Sequence, residues 1–222
     1  MFDFDGVIVD SEPLHYQAFL ALARGFGLDF TYEEYARKYI GYDDRDAFRA
    51  MLVELDGSHV DEDRLAELGR KKSDVFQSIA DAGVRAYPGV LDLIHRAAAV
   101  MPLAIASGAT RKDLELVLGK FGLGDRFEPI VSADDVAHSK PDPQTYVLAV
   151  RGLARRHRGL AIQPVDCLAI EDTAAGIDSA RAAGLRTLGV AHTGPASQIG
   201  HADQVVAALA DLDLETLRGW YS

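Results

Sequence analysis

Beyond Tyr87-Pro88-Gly89 the chain switches repeatedly between helical spacing and short apolar runs, and this alternation limits its fold more than any other feature. Helical spacing fills about 89–99 and 110–121, where Leu114, Val117, Leu118 and Phe121 share one face. The runs 102–107, 128–132, 166–171 and 185–191 are short and apolar, as buried strands are. Helical stretches at 142–157 and 174–183 separate the later ones, and a last short strand falls near 203–206. Strands alternating with helices predict an α/β fold with a doubly wound parallel sheet, covered by helices on both faces. Residues 13–82 read differently. Leu14, Ala18, Ala21 and Leu22, then Leu65, Leu68, Val75, Phe76 and Ile79, recur at helical spacing with almost no strand-like alternation. An all-helical insert over 13–82 is therefore expected to interrupt a core made of 1–12 and 83–222. No internal repeat or low-complexity segment is visible.

In a sheet of this kind ligands bind outside the carboxyl ends of the strands, so polar residues that follow apolar runs carry the most information. The first run, Met1-Phe-Asp3-Phe-Asp5-Gly6, offers two carboxylates two residues apart. On an extended strand both would point to one side. Like charges held together out of water need a divalent cation or a shared proton. Asp-x-Asp-Gly alone also fits a calcium loop or a solvated turn. Three more signals follow in order. Pro102-Leu-Ala-Ile-Ala-Ser107-Gly108 delivers a hydroxyl, Ser139-Lys140-Pro141-Asp142-Pro143 a lysine, and Asp166-Cys-Leu-Ala-Ile-Glu171-Asp172-Thr-Ala-Ala-Gly176 two more carboxylates. Singly, each has a bland reading: a strand end, a loop cation, or a helix start where acids suit the dipole. Four such coincidences in one order are improbable.

Together, Asp3-x-Asp5, Ser107, Lys140 and Glu171-Asp172 resemble the four motifs of the haloacid dehalogenase superfamily. Asp10-Ser-Glu-Pro-Leu-His15, Ser107-Gly-Ala-Thr110, Lys140-Pro-Asp-Pro143 and Glu171-Asp-Thr-Ala-Ala-Gly176-Ile resemble its phosphatase and beta-phosphoglucomutase branch, which inserts a helical cap after the first motif. The resemblance covers nearly all of the chain. It implies a magnesium-dependent phosphatase for a small phosphorylated metabolite, a sugar phosphate or related monoester, working through an aspartyl-phosphate. On it, Asp3 is the nucleophile, and Asp5 protonates the leaving oxygen and then deprotonates the attacking water. It also implies that the Asp3 carboxylate, the Asp5 backbone carbonyl and Asp172 hold Mg2+, with Glu171 direct or through water. Ser107, Gly108 and Lys140 would hold the transferring phosphate. The segment Ile40-Gly41-Tyr-Asp-Asp-Arg45, with His15 and Lys72, would face the substrate from the cap, and 6–11 and 83–88 would hinge it.

Other activities are weighed on the same residues. Ala109-Thr110 stand where mutases of this branch place Ser-Lys, and Arg45 lies one position further from Gly41 than the mutase pattern has it. The first departure favours hydrolysis over the alternative, a beta-phosphoglucomutase, and the second weakens the match of Arg45 to the branch's substrate-facing residue. A dehalogenase would lack the acid/base aspartate that Asp5 supplies, and a phosphonatase would need a lysine shortly after Gly41. A non-catalytic phosphate or magnesium sensor is the alternative from another class, since receiver domains also carry an acidic pocket on a doubly wound sheet. Asp5 and the helical insert argue against it.

Composition narrows the partners. A net charge of −11 over 222 residues disfavours nucleic acid and anionic membranes, which require clustered Lys and Arg. The short basic runs Arg70-Lys-Lys72 and Arg155-Arg-His-Arg158 read as solvated helix faces, and His192 as a loop histidine. Cys167 is the single cysteine, inside an apolar run, which fits a buried thiol in a reducing cytoplasm. No run approaches the roughly 20 apolar residues of a membrane span, and no leader precedes Asp3. A monomer or weak homodimer is expected. Only two residues precede Asp3, fewer than a buried strand usually has, so further residues upstream are also expected.

Overall fold

A computed structural model describes residues 1–40, 42–57, 61–210 and 212–221, and, of these, not the side chains of 56 and 221. Gly41, expected to face the substrate, lies outside the described residues. The chain forms two compact units, Met1–Asp10 with Arg85–Ser222, and Ser11–Val84.

The first unit is built on parallel strands β1 (Ile105–Ala106), β2 (Ile130–Val131), β3 (Leu168–Glu171), β4 (Arg186–Val190) and β5 (Gln204–Val206). β1 pairs with β2, and β3 with β4 and β4 with β5, all in parallel. The opening segment joins the two ladders: Phe2 bridges both Ile105 and Ile170, and Asp3 N–H donates to the Ile170 carbonyl at 3.0 Å. The order across the sheet is thus β2, β1, residues 1–3, β3, β4, β5. Chain direction across the sheet reverses at residues 1–3. Helices α5 (Val90–Ala98) and α6 (Arg111–Lys120) lead into β1 and β2, and α7 (Gln144–Arg156) and α8 (Ala174–Ala182) into β3 and β4. Right-handed crossovers running in opposite directions put the two pairs on opposite faces. Tyr146, Ala149, Val150 and Leu153 of α7 bury their stripe against Ala104, Ala106, Val131 and Ala169 of the strands. The expected elements are present, with strands shorter than the apolar runs. A terminal helix α9 (Leu214–Tyr221) was not foreseen from the sequence, and it packs against α5.

One expectation needs correcting. Asp3 and Asp5 do not share an extended strand: pairing with the sheet stops at Asp3, and Asp5 lies in a tight turn closed by Gly6 N–H to Val9 O at 2.9 Å. Gly6 makes the turn with φ +75°, a left-handed conformation open to glycine. The chain then leaves this unit beside the strand that returns to it, with Asp10 N–H on Arg85 O and Tyr87 N–H on Ile8 O.

The second unit holds α1 (Glu12–Arg24), α2 (Tyr32–Lys38), α3 (Asp44–Asp56) and α4 (Glu62–Ala82). Thr31 and Glu34 cap α2 reciprocally, and the Asp43 and Asp61 side chains cap α3 and α4. Its core is aromatic, with Phe19, Phe30, Tyr35, Tyr39 and Phe48 packed together. Leu65, Lys72, Phe76 and Ala80 fall on one stripe of α4 and are all buried. The expectation that Arg70-Lys-Lys72 is wholly a solvated face is therefore wrong for Lys72, whose side chain is 1% exposed. A lysine on the core stripe is tolerated because its charge is met: Nζ lies 2.8 Å from Asp44 Oδ1, 2.6 Å from His15 Nδ1, and over the Phe19 and Phe76 rings. Among the described residues no helix is long and apolar enough to cross a membrane.

Candidate active site

Where the strand order reverses, the carboxyl ends of adjacent strands diverge and leave a crevice. Asp3 ends the central segment, Ser107 follows β1, Glu171 ends β3 and Asp172 follows it. One carboxylate oxygen from each of Asp3, Glu171 and Asp172 lies within 4.8 Å of the others, and all three residues are buried. Lys140 reaches in from the loop before α7. Its Nζ is 3.0 Å from Asp3 Oδ1, donates to Glu171 Oε1 at 2.6 Å, and donates to the Ala106 carbonyl at 2.9 Å, beside Ser107. The Tyr146 hydroxyl also donates to Glu171 Oε1, at 2.6 Å.

This crowding sets the charges. Burial first, then neighbouring Glu171, pushes the Asp3 carboxyl up to about 8 against the pull of Lys140. Burial alone would lower Lys140, but Asp3 and Glu171 outweigh it and hold the ammonium charged above its ordinary range. Tyr146 is raised as well, by burial and by Glu171, so it stays a neutral donor.

The donor set fits a hard divalent cation. It is all oxygen, it carries more negative charge than Lys140 balances, and Glu171 Oε2 is buried without a hydrogen-bond partner. Two glycines make room for these carboxylates. A Cβ on Gly6 would overlap the Asp172 carboxylate, and one on Gly176 would overlap that of Glu171. Gly176→Ala should therefore destabilise the protein by about 1–3 kcal/mol, although alanine favours helix by about 1 kcal/mol. Urea unfolding checks this, and a variant as stable as the parent would contradict the packing described.

The other expected residues divide. Asp5 is half-buried and its side chain lies outside the carboxylate set, although its charge adds to the upward push on Asp3. Ser107 is 1% exposed and its Oγ accepts from Ala109 N–H at 3.0 Å, while Gly108 is exposed. His15, Arg45 and Lys72 belong to the helical unit. Arg45 is exposed and ion-paired with Glu62, and His15 stacks on Phe76 at 4.5 Å while accepting from Lys72.

Two residues at the site, Tyr146 and Thr193, escaped the sequence reading, and a third, His192, was read as a loop histidine. Tyr146 had a signal: a hydroxyl on the buried stripe of α7 must find a partner, though nothing in the sequence names Glu171 as that partner. His192 is more than a loop histidine. Its ring stacks on Tyr87 with centroids 3.9 Å apart, and Nδ1 lies 2.9 Å from the Gly6 carbonyl. A carbonyl only accepts, so Nδ1 carries the proton. Burial lowers this imidazole and favours that neutral form. Next to it, the Thr193 hydroxyl donates to Asp172 Oδ2.

Comparison with known proteins adds an independent line. Residues 1–190 match the model of the haloacid dehalogenase-like hydrolase family. Protein CbbY of Rhodobacter capsulatus is 36% identical, covering 85% of this chain and 82% of its own. Fructose-1-phosphate phosphatase YqaB of Escherichia coli (strain K12) is 30% identical, covering 86% of this chain and 94% of its own. Among solved structures, CbbY from Rhodobacter sphaeroides in complex with phosphate superposes with a TM-score of 0.84 at 27% identity, over 98% of this chain and 97% of that one.

Proposed function

The chain belongs to the haloacid dehalogenase-like hydrolase family, and on that premise we propose that it hydrolyses the phosphate monoester of a small sugar-like metabolite through an aspartyl-phosphate. The observation that carries this reading is the buried convergence of Asp3, Glu171 and Asp172 at the reversal of strand order, with Lys140 paired to the first two. The 30% identity to a protein named as a fructose-1-phosphate phosphatase supports the substrate class.

In this reading Asp3 attacks the phosphorus, the aspartyl-phosphate bond forms, and the ester oxygen leaves with a proton from Asp5. Water then attacks the phosphorus, giving its proton back to Asp5 and releasing Asp3 and inorganic phosphate. Asp5 suits the acid role because it is more exposed than Asp3, so it can exchange its proton with solvent between steps. Lys140 pulls the Asp3 carboxyl down against the pressure of burial and helps offset the charge of the transferring group. Ser107 and the Gly108 backbone would bind the phosphoryl oxygens. Magnesium, held by Asp3, the Asp5 carbonyl, Asp172 and Glu171, would neutralise charge on those oxygens. The helical unit would serve as the cap that selects substrate and excludes water.

The pairing of the cationic groups favours hydrolase over mutase. A mutase must grip a second phosphate, yet Arg45 is committed to Glu62, Lys72 to Asp44, and Arg111 to Asp135 and the Ile130 carbonyl. Incubation with beta-glucose 1-phosphate and a trace of the 1,6-bisphosphate should release inorganic phosphate, abolished by chelator and restored by magnesium. Predominant glucose 6-phosphate would establish the mutase instead. No turnover of any phosphate monoester by folded, magnesium-loaded protein would favour a sensor.

A further inference from the structure

The loop after β4 touches the site from outside the motifs that the sequence displays. Two of its polar residues act on two different parts. His192 holds the carbonyl of Gly6, the residue after Asp5, and is itself backed by the Tyr87 ring. Thr193, one residue on, directs its hydroxyl to Asp172 Oδ2. The same carboxylate lies so close to Gly6 that no side chain fits between them. Asp172 is therefore confined on one side by the Gly6 backbone and tied on another by a hydroxyl whose own loop is anchored to Gly6 through His192.

A carboxylate on a short side chain turns about its Cβ–Cγ bond, and a ligand that must be immobilised on binding loses affinity. Hydrogen bonds to a ligating carboxylate remove that freedom beforehand, and losing one typically costs about 10- to 100-fold in metal affinity. We propose that Thr193 is a positioning residue, one that sets the orientation of the Asp172 carboxylate for a divalent cation and so tunes the protein's affinity for it. This rests on the magnesium reading given above. Thr193 touches no reacting atom in that reading, so it governs how much cation is needed, and the rate of the loaded enzyme is left nearly unchanged.

The test compares Thr193→Val, which keeps the shape and removes the hydroxyl, with Thr193→Ser, which keeps the hydroxyl. Binding of magnesium chloride to the full chain without substrate is measured by calorimetry, and phosphatase activity is titrated with magnesium in parallel. The valine variant should bind magnesium about tenfold or more weakly. It should also need correspondingly more metal, with kcat at saturating metal within about threefold of the parent. The serine variant should stay within about twofold in both. A valine variant with the parent's magnesium affinity would overturn the assignment, as would a serine variant that loses as much, since packing of the methyl group would then be the cause. Should the valine variant fold poorly, Thr193→Ala carries the same expectation. A parent protein that binds no magnesium would overturn the cation reading and this assignment with it, which distinguishes the two failures.

Discussion

Asp3→Asn should abolish turnover of p-nitrophenyl phosphate, by on the order of 10^3-fold or more, while making the protein in chelator more stable at pH 8. The loss follows from the nucleophile: an amide oxygen does not displace an alkoxide from phosphorus. The gain follows from burial. The Asp3 carboxyl is raised from 3.8 to about 8, so the fold prefers it neutral. A group raised in the folded state contributes stability that is fully present below its unfolded value and lost as pH rises through its folded value. In the parent this stability should fade from about pH 4 to about pH 8. Asparagine never ionises, so the advantage of the variant should open across that window and level off above it. We expect about 1–3 kcal/mol at pH 8, because Lys140 loses one of its two anionic partners at the same time. Denaturant unfolding in chelator at pH 4.5 and 8 checks this. Residual activity within tenfold of the parent would remove Asp3 as nucleophile, and lower stability at pH 8 would contradict the electrostatic account. Saturating magnesium should reverse the order by stabilising the parent more than the variant.

Lys140→Met should produce the opposite change in stability, a loss of about 3–5 kcal/mol at pH 8 in chelator, with activity reduced at least about 10^2-fold. Methionine matches the lysine stem but leaves the Asp3 and Glu171 carboxylates, with side chains 11% and 0% exposed, without their shared cation. Lys140 is held above its ordinary range, so its contribution is fully present below pH 10.5 and is intact at pH 8. Because the penalty comes from stranded negative charge, neutralising one carboxylate should return part of it. Lys140→Met/Glu171→Gln should be more stable than the sum of its single variants by about 0.5–3 kcal/mol. A methionine variant within 1 kcal/mol of the parent, or additivity in the double variant, would show that the cluster is solvated and not buried.

The residues that the fold gathers around the buried carboxylates were legible as candidates because each stands out locally in the chain. Asp3-x-Asp5-Gly6, Ser107 and Glu171-Asp172 each follow an apolar run, Lys140 lies in the loop beyond another, and the alternation of helix and strand places such positions along one edge of the sheet. The helical unit was legible for the same kind of reason, since helical periodicity is written within each segment. Strand lengths were less so. An apolar run continues past the last paired residue, and only the neighbouring strand decides where pairing stops, as at Asp3.

What tertiary structure alone decided are the partnerships between distant segments. Lys72 appeared as one cation in a basic run, and only the packing of α4 on α1 and α3 put it on a buried stripe against Asp44 and His15. Tyr146 meets Glu171, His192 meets Gly6 and Thr193 meets Asp172 across 25, 186 and 21 residues of chain. A hydroxyl or an imidazole in a sequence shows that a hydrogen bond must be made somewhere. Which carboxylate or carbonyl receives it depends on which strands lie side by side, and that order is a property of the folded sheet.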